Sequence, residues 1–111
     1  MLLLIVAWAL AAVVLVITLL AGRGIVRRNK FAGIRLRSTF ASDSAWRRGH
    51  TAAVPSAAVA AAITTVVGVI GLIVSGVDDG ARETFGFVMM GVDVAGVLVG
   101  TAVANRAARQ A

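Results

Sequence analysis

The chain has no cysteine, one proline, one histidine, no tyrosine and only five acidic residues. Without cysteine there can be no disulfide scaffold, no thiolate metal site and no cysteine nucleophile, and the redox state of the compartment leaves no mark. With one histidine, His50, and no carboxylate at ligand spacing from it, a metal centre is not expected. Charge is also scarce: 14% of the 111 residues are charged, against 59% hydrophobic, with a mean hydropathy of +0.94. A soluble fold of this length would need polar surface that the composition does not supply. What remains is a single membrane domain.

The charges that exist are concentrated. Arg23, Arg27, Arg28, Lys30, Arg35, Arg37, Arg47 and Arg48 lie within one segment, opposed there by Asp43 alone. On either side the chain runs long distances without charge. At 1.5 Å per residue about 20 helical residues cross the ~30 Å of bilayer hydrocarbon. The first span is expected at about residues 2–22, with Thr18 its one polar side chain within 2–21 and Trp8 a candidate interfacial residue. It is read as a retained helix and not a cleaved signal, because no positive charge precedes it and the apolar run is too long. The second span is expected at 55–76, with Pro55 in the first turn, where its missing N–H is not needed. The third is expected at 84–105. Residues 23–52 form the basic loop and 77–83 a short acidic turn. The fold class is thus an all-α membrane protein of three transmembrane helices.

Orientation follows from where the arginines fall. Positive charge follows the first span and, through Arg106 and Arg109, the third, but not the second. The positive-inside rule then places the N-terminus outside, the basic loop and C-terminus inside and the acidic turn outside. Positive charge beside apolar spans points to anionic lipid headgroups as a partner and away from nucleic acid.

Asp93 is the only charged residue within a span. It lies nine residues from Thr84, about 14 Å into the helix, and should turn away from lipid. Gly86, Met89, Asp93, Gly96 and Gly100 recur at three or four residues and share one side, with Gly96–Gly100 forming a GxxxG pair that permits close helix approach. This face is expected to pack against another helix or a partner subunit. Asp93 is expected either to be protonated or hydrogen-bonded to Thr64, Thr65, Thr18 or a backbone carbonyl, to meet another subunit, or to bind a proton or cation. No second ionisable group lies in a span to build a relay.

The basic loop is patterned. Ser42 can cap a helix whose first turn holds Asp43 and Ser44, expected as a short interfacial helix from Asp43 towards His50. Trp46 would sit at headgroup level with Arg47 and Arg48 reaching phosphates. Gly33 permits a tight turn, and Phe31 and Ile34 can dip into the interface. Arg28-Asn29, Gly33-Ile34-Arg35, Ser42-Asp43, Trp46 and His50 together resemble the loop of the SdpI family of small bacterial membrane proteins. The sequence departs from that pattern at Leu36 and at Arg37-Ser38-Thr39.

The resemblance implies a non-enzymatic protein of a bacterial inner membrane that acts by binding, of the immunity or regulatory type. Ser42, Asp43 and His50 are explained by capping and do not form a triad, so no catalysis and no cofactor are expected. An alternative is an accessory subunit of a larger respiratory or transport assembly, with other membrane subunits or further copies of the chain as partners. A third reading is a small proton-coupled transporter built on Asp93.

Overall fold

The computed structural model describes residues 1–29, 31–76 and 78–110. Lys30 of the basic loop and Val77 of the acidic turn lie outside them. Four helices follow in order: α1 (Leu2–Gly22), α2 (Arg37–Phe40), α3 (Asp43–Ser75) and α4 (Asp79–Arg109). Among the described residues no strand forms. Three of the helices, α1, α3 and α4, are long and apolar enough to cross a membrane. They pack side by side into a rod of 50 × 20 × 18 Å.

The interior of this rod is made of small residues and its surface of large ones. α1 buries Leu4, Ala7, Ala11, Thr18 and Ala21, a heptad-like seam. α3 buries Ala53, Ala57, Thr64, Gly68, Gly71 and Ser75 along a similar seam, and α4 buries Gly86, Met89, Asp93, Gly100 and Ala104. Meanwhile Ile5, Val13, Val66, Ile73, Val94 and Leu98 are exposed. Lipid solvates such side chains as well as a core would, so nothing drives them inward. Small residues instead let backbones approach and gain dispersion contacts. At Gly68 the approach is closest: a Cβ there would lie 2.4 Å from the Trp8 ring and 2.8 Å from Met89 Cε. Trp8, half-buried, therefore packs across α3 beside the Leu4, Ala7 and Met89 cluster.

The expected boundary at Pro55 is not there. α3 runs unbroken through Pro55 from Asp43, 33 residues in all or about 50 Å. The short capped helix expected from Asp43 towards His50, leading into the second span, is its first two turns, and Pro55 sits inside it. Leaving the helix at Pro55 would strand neighbouring backbone groups beside the hydrocarbon, which costs more than the one hydrogen bond a proline removes. Ser42 does cap this helix, accepting from Ala45 N–H at 2.9 Å. α4 likewise begins earlier than residue 84, because Asp78 caps it by accepting from Ala81 N–H at 3.3 Å. Gly76 closes α3 with φ +57°, where a side chain would be strained.

Candidate functional site

At the arginine-rich end the segment between α1 and α3 folds back against α3 as a compact cap, and the loop motif residues build it. Asn29 organises the entry: its Oδ1 accepts from the Phe31 and Ala32 N–H groups at 2.9 and 2.7 Å, while its Nδ2 donates to the Arg27 carbonyl at 2.7 Å. This is the side-chain-to-backbone turn chemistry to which Asn is suited. Arg28 then pins the cap from outside, donating from Nε to Asp43 Oδ1 at 2.9 Å and from a terminal nitrogen to the Phe40 carbonyl at 2.8 Å.

Gly33 is the point of closest contact. Its φ is +100°, and a Cβ there would meet His50 Nε2 at 2.8 Å and the Trp46 ring at 2.9 Å. Beneath it His50 is buried, with each ring nitrogen engaged: Nε2 accepts from the Ile34 N–H at 2.8 Å, and Nδ1 lies 2.7 Å from the Trp46 carbonyl. Since the Ile34 amide can only donate, Nε2 carries no proton and Nδ1–H is the donor to Trp46. His50 lies five residues before Pro55, in the part of α3 that carries Asp43, Arg47 and Arg48 and so projects past the hydrocarbon. Burial holds its pKa below the ordinary value, against the Trp46 hydrogen bond that pulls it up.

Trp46 faces the protein and not the surrounding medium. It is 1% exposed, stacked 4.2 Å from the His50 ring and 5.6 Å from Phe40, and its indole N–H donates to the Val26 carbonyl at 2.8 Å. The loop folds over it. Arg47 and Arg48 remain exposed, as do Arg23, Arg27, Arg35 and Arg37. Arg48 donates to the Gln110 carbonyl at 2.9 Å and so ties the cap to the end of α4.

Two residues of the cap escaped sequence reading. Thr39 is fully buried: its hydroxyl lies 2.8 Å from the Ile34 carbonyl and 3.0 Å from that of Leu36, and accepts from the Leu36 N–H at 2.9 Å. Gly49 lets α2 settle on α3, since a Cβ there would lie 3.0 Å from the Thr39 methyl and 3.1 Å from the Ala104 carbonyl. Ser38 adds a link to α4, donating to Asn105 Oδ1 at 2.6 Å. A Ser-Thr pair after a basic, apolar run is a signal for local backbone bonding, but in this loop it stood out less than the arginines around it.

The glycine face of α4 lies within the bundle. A Cβ on Gly86 would meet Leu3 of α1 at 2.9 Å; Met89 is fully buried; Gly96 and Gly100 sit over Ala60 and Ala53 of α3. These residues are occupied by the chain's own helices. Among the four candidates for Asp93, the structure selects Thr64, whose hydroxyl donates to Oδ1 at 2.8 Å. Thr18 and Thr65 bond to carbonyls of their own helices instead, those of Val14 and Ala61. Asp93 Oδ2 is buried and has no protein partner. The residue borders a cavity of about 10 Å³, room for about one water, lined otherwise by Ala11, Val14, Ala57, Ala60, Ala61, Gly96 and Val97.

Hollows open beside the cap, and two of them are lined by its own loop or by α2. One of about 320 Å³ lies between Gly24, Arg27, Asp43, Trp46 and Arg47. The other, about 680 Å³, lies between α2, the start of α3 and the last third of α4. Ile25 and Phe31 stand exposed near the first in sequence, Phe31 at 90%.

The family model of the SdpI/YfhL protein family matches residues 25–104 of the chain. That match covers the cap, α3 and most of α4, and the chain belongs to this family. Comparison with curated proteins and with solved structures found no match.

Proposed function

With membership of the SdpI/YfhL family as the premise, we propose that this is a non-enzymatic protein of a bacterial cell membrane that acts by binding another protein through its basic cap. The observation that carries this is a division of labour within the loop. Trp46, His50, Thr39, Asn29 and Gly33 are spent on building the cap, whereas Arg23, Arg27 and Arg47 are exposed, as are Ile25 and Phe31 in the same segment. Arginine next to an exposed aromatic on a rigid support is the composition of a binding surface. The hollow between Arg27 and Arg47 is also lined by Asp43, whose carboxylate is engaged by Arg28, so its two guanidinium groups suit an acidic side chain or a terminal carboxylate of the partner. His50 supports a structural role, since both ring nitrogens are occupied by backbone groups.

The test has two parts. Purification of the native protein in mild detergent should retain a protein partner that the Arg27→Glu/Arg47→Glu variant loses while keeping its helical content. Cells lacking the protein should become more sensitive to their own secreted peptides if the role is immunity; unchanged sensitivity would remove immunity and leave regulation.

A second reading, an accessory subunit of a larger membrane assembly, draws on a lipid-level groove of about 480 Å³ between α3 and α4, floored by Ala60, Ala95 and Gly96 and flanked by Val59, Ile63 and Val99. Small residues at the bottom of such a groove would let a further helix approach. Recovery of a lone monomer under gentle conditions would dispose of it.

A further inference from the structure

The 680 Å³ hollow differs in kind from the one between Arg27 and Arg47. Its rim carries two exposed guanidinium groups, Arg37 and Arg109, with the polar side chains of Ser38, Ser42 and Asn105. No carboxylate lines it, because the nearby Asp43 is turned to Arg28. Its wall is apolar, formed by Leu98 and Ala102 of α4 with Ala45 of α3.

The depth of this cleft decides what fits it. Leu98 lies 11 residues before Arg109, about 16 Å along the helix. Leu98 is 66% exposed on a helix long and apolar enough to cross a membrane, whereas Arg109 lies in its last turn and carries a charge that hydrocarbon would not accept. The cleft thus crosses the boundary between hydrocarbon and headgroups, apolar below and cationic above. Val99, next to Leu98, and Ala95, about one turn deeper, line the lipid-level groove between α3 and α4. A soluble anion would use the rim and leave the wall idle. A neutral lipid would use the wall and leave two guanidinium groups without a counterion.

We propose that this cleft is a binding site for one anionic phospholipid, its phosphate held by Arg37 and Arg109 with hydrogen bonds from the Ser42 hydroxyl and the Asn105 side-chain amide, and one acyl chain laid along Leu98 and Ala102. The lipid bridges α2 to α4 beside the Ser38–Asn105 contact, and so fastens the cap to the bundle. This site shares no arginine with the surface proposed for the protein partner, so the two stand or fall separately.

Delipidated full-length protein in detergent, titrated with phosphatidylglycerol and followed by native mass spectrometry, tests it. One phosphatidylglycerol should bind, and phosphatidylcholine should bind roughly tenfold more weakly or worse. Arg37→Gln/Arg109→Gln should abolish that preference, while Arg23→Gln/Arg27→Gln, away from the cleft, should keep it. Ala102→Phe, which fills the wall and leaves the charges, should weaken phosphatidylglycerol binding with helical content unchanged, and it reads the site even if the double arginine variant does not fold. Equal binding of the two lipids, unchanged preference in a folded Arg37→Gln/Arg109→Gln protein, or unchanged binding by Ala102→Phe would overturn the proposal. So would full competition by glycerophosphoglycerol at the lipid's own concentration, which would mean that a free phosphate ester suffices.

Discussion

One imidazole holds the loop to α3 by two backbone groups of opposite character, and that arrangement is sensitive to protonation. A proton on Nε2 would set N–H against the Ile34 N–H it now accepts from. Because the folded pKa of His50 is lowered by burial, the unfolded chain binds the extra proton first. His50's contribution is therefore complete above the unfolded value of about 6.5, and is lost as pH falls from there towards the folded value. The apparent thermal midpoint of the cap in detergent should fall between about pH 7.5 and 5.5, and His50→Gln should lack that part of the slope. Gly33 is the second critical residue. Gly33→Ala adds a methyl against His50 and Trp46 at a φ of +100°, and should destabilise the cap by about 2 kcal/mol or more. Loss of the shielded Trp46 emission, with the spans still helical, would report it. Both residues were legible in the sequence as special; their contact with one another was not, because seventeen residues separate them and no local pattern encodes a loop folding back.

Among the elements, the spans were the easiest to read and their ends the hardest. Length and apolarity fix a crossing helix almost without tertiary context, and α1 runs over Leu2–Gly22. Proline reads as a start signal, which puts the second span at Pro55 with a capped helix from Asp43 leading into it; in lipid the demand for backbone hydrogen bonds makes the two one helix. An amphipathic ring next to arginines has the composition of an interfacial anchor, and only the fold shows Trp46 covered. Asp93 was read as turned away from lipid, and its partner on α3 was one of four candidates until packing chose Thr64. This link is testable between helices. Thr64→Val leaves the acid with no hydrogen-bond donor in the bundle interior and should destabilise the α3–α4 pair by about 1–3 kcal/mol. Thr64→Val/Asp93→Ala should cost less than Thr64→Val alone, since no polar group is then stranded. Thermal unfolding in a single detergent compares the three, and a double variant worse than Thr64→Val would contradict the assignment.

For the whole molecule, the bundle is uneven about the membrane. Three helices of at least 21 residues give it a crossing, and α3 and α4 extend well past the hydrocarbon at the arginine-rich end, where the cap sits. The distribution of arginine predicts that this end faces the cell interior. Cysteine introduced at Ser44, in an otherwise cysteine-free chain, should react with a membrane-impermeant maleimide only after the cells are opened. Cysteine at Gly80 should react in intact cells. The reverse pattern would invert the protein.

The opposite end is nearly bare. Gly76 turns the chain sharply, and Asp78 starts the returning helix two residues later. The turn joining the two helices is so short that it offers a visiting molecule in the aqueous phase little to grip. A molecule that instead met these helices sideways within the bilayer would do so at an effective concentration set by its amount per unit of membrane, not per volume of medium.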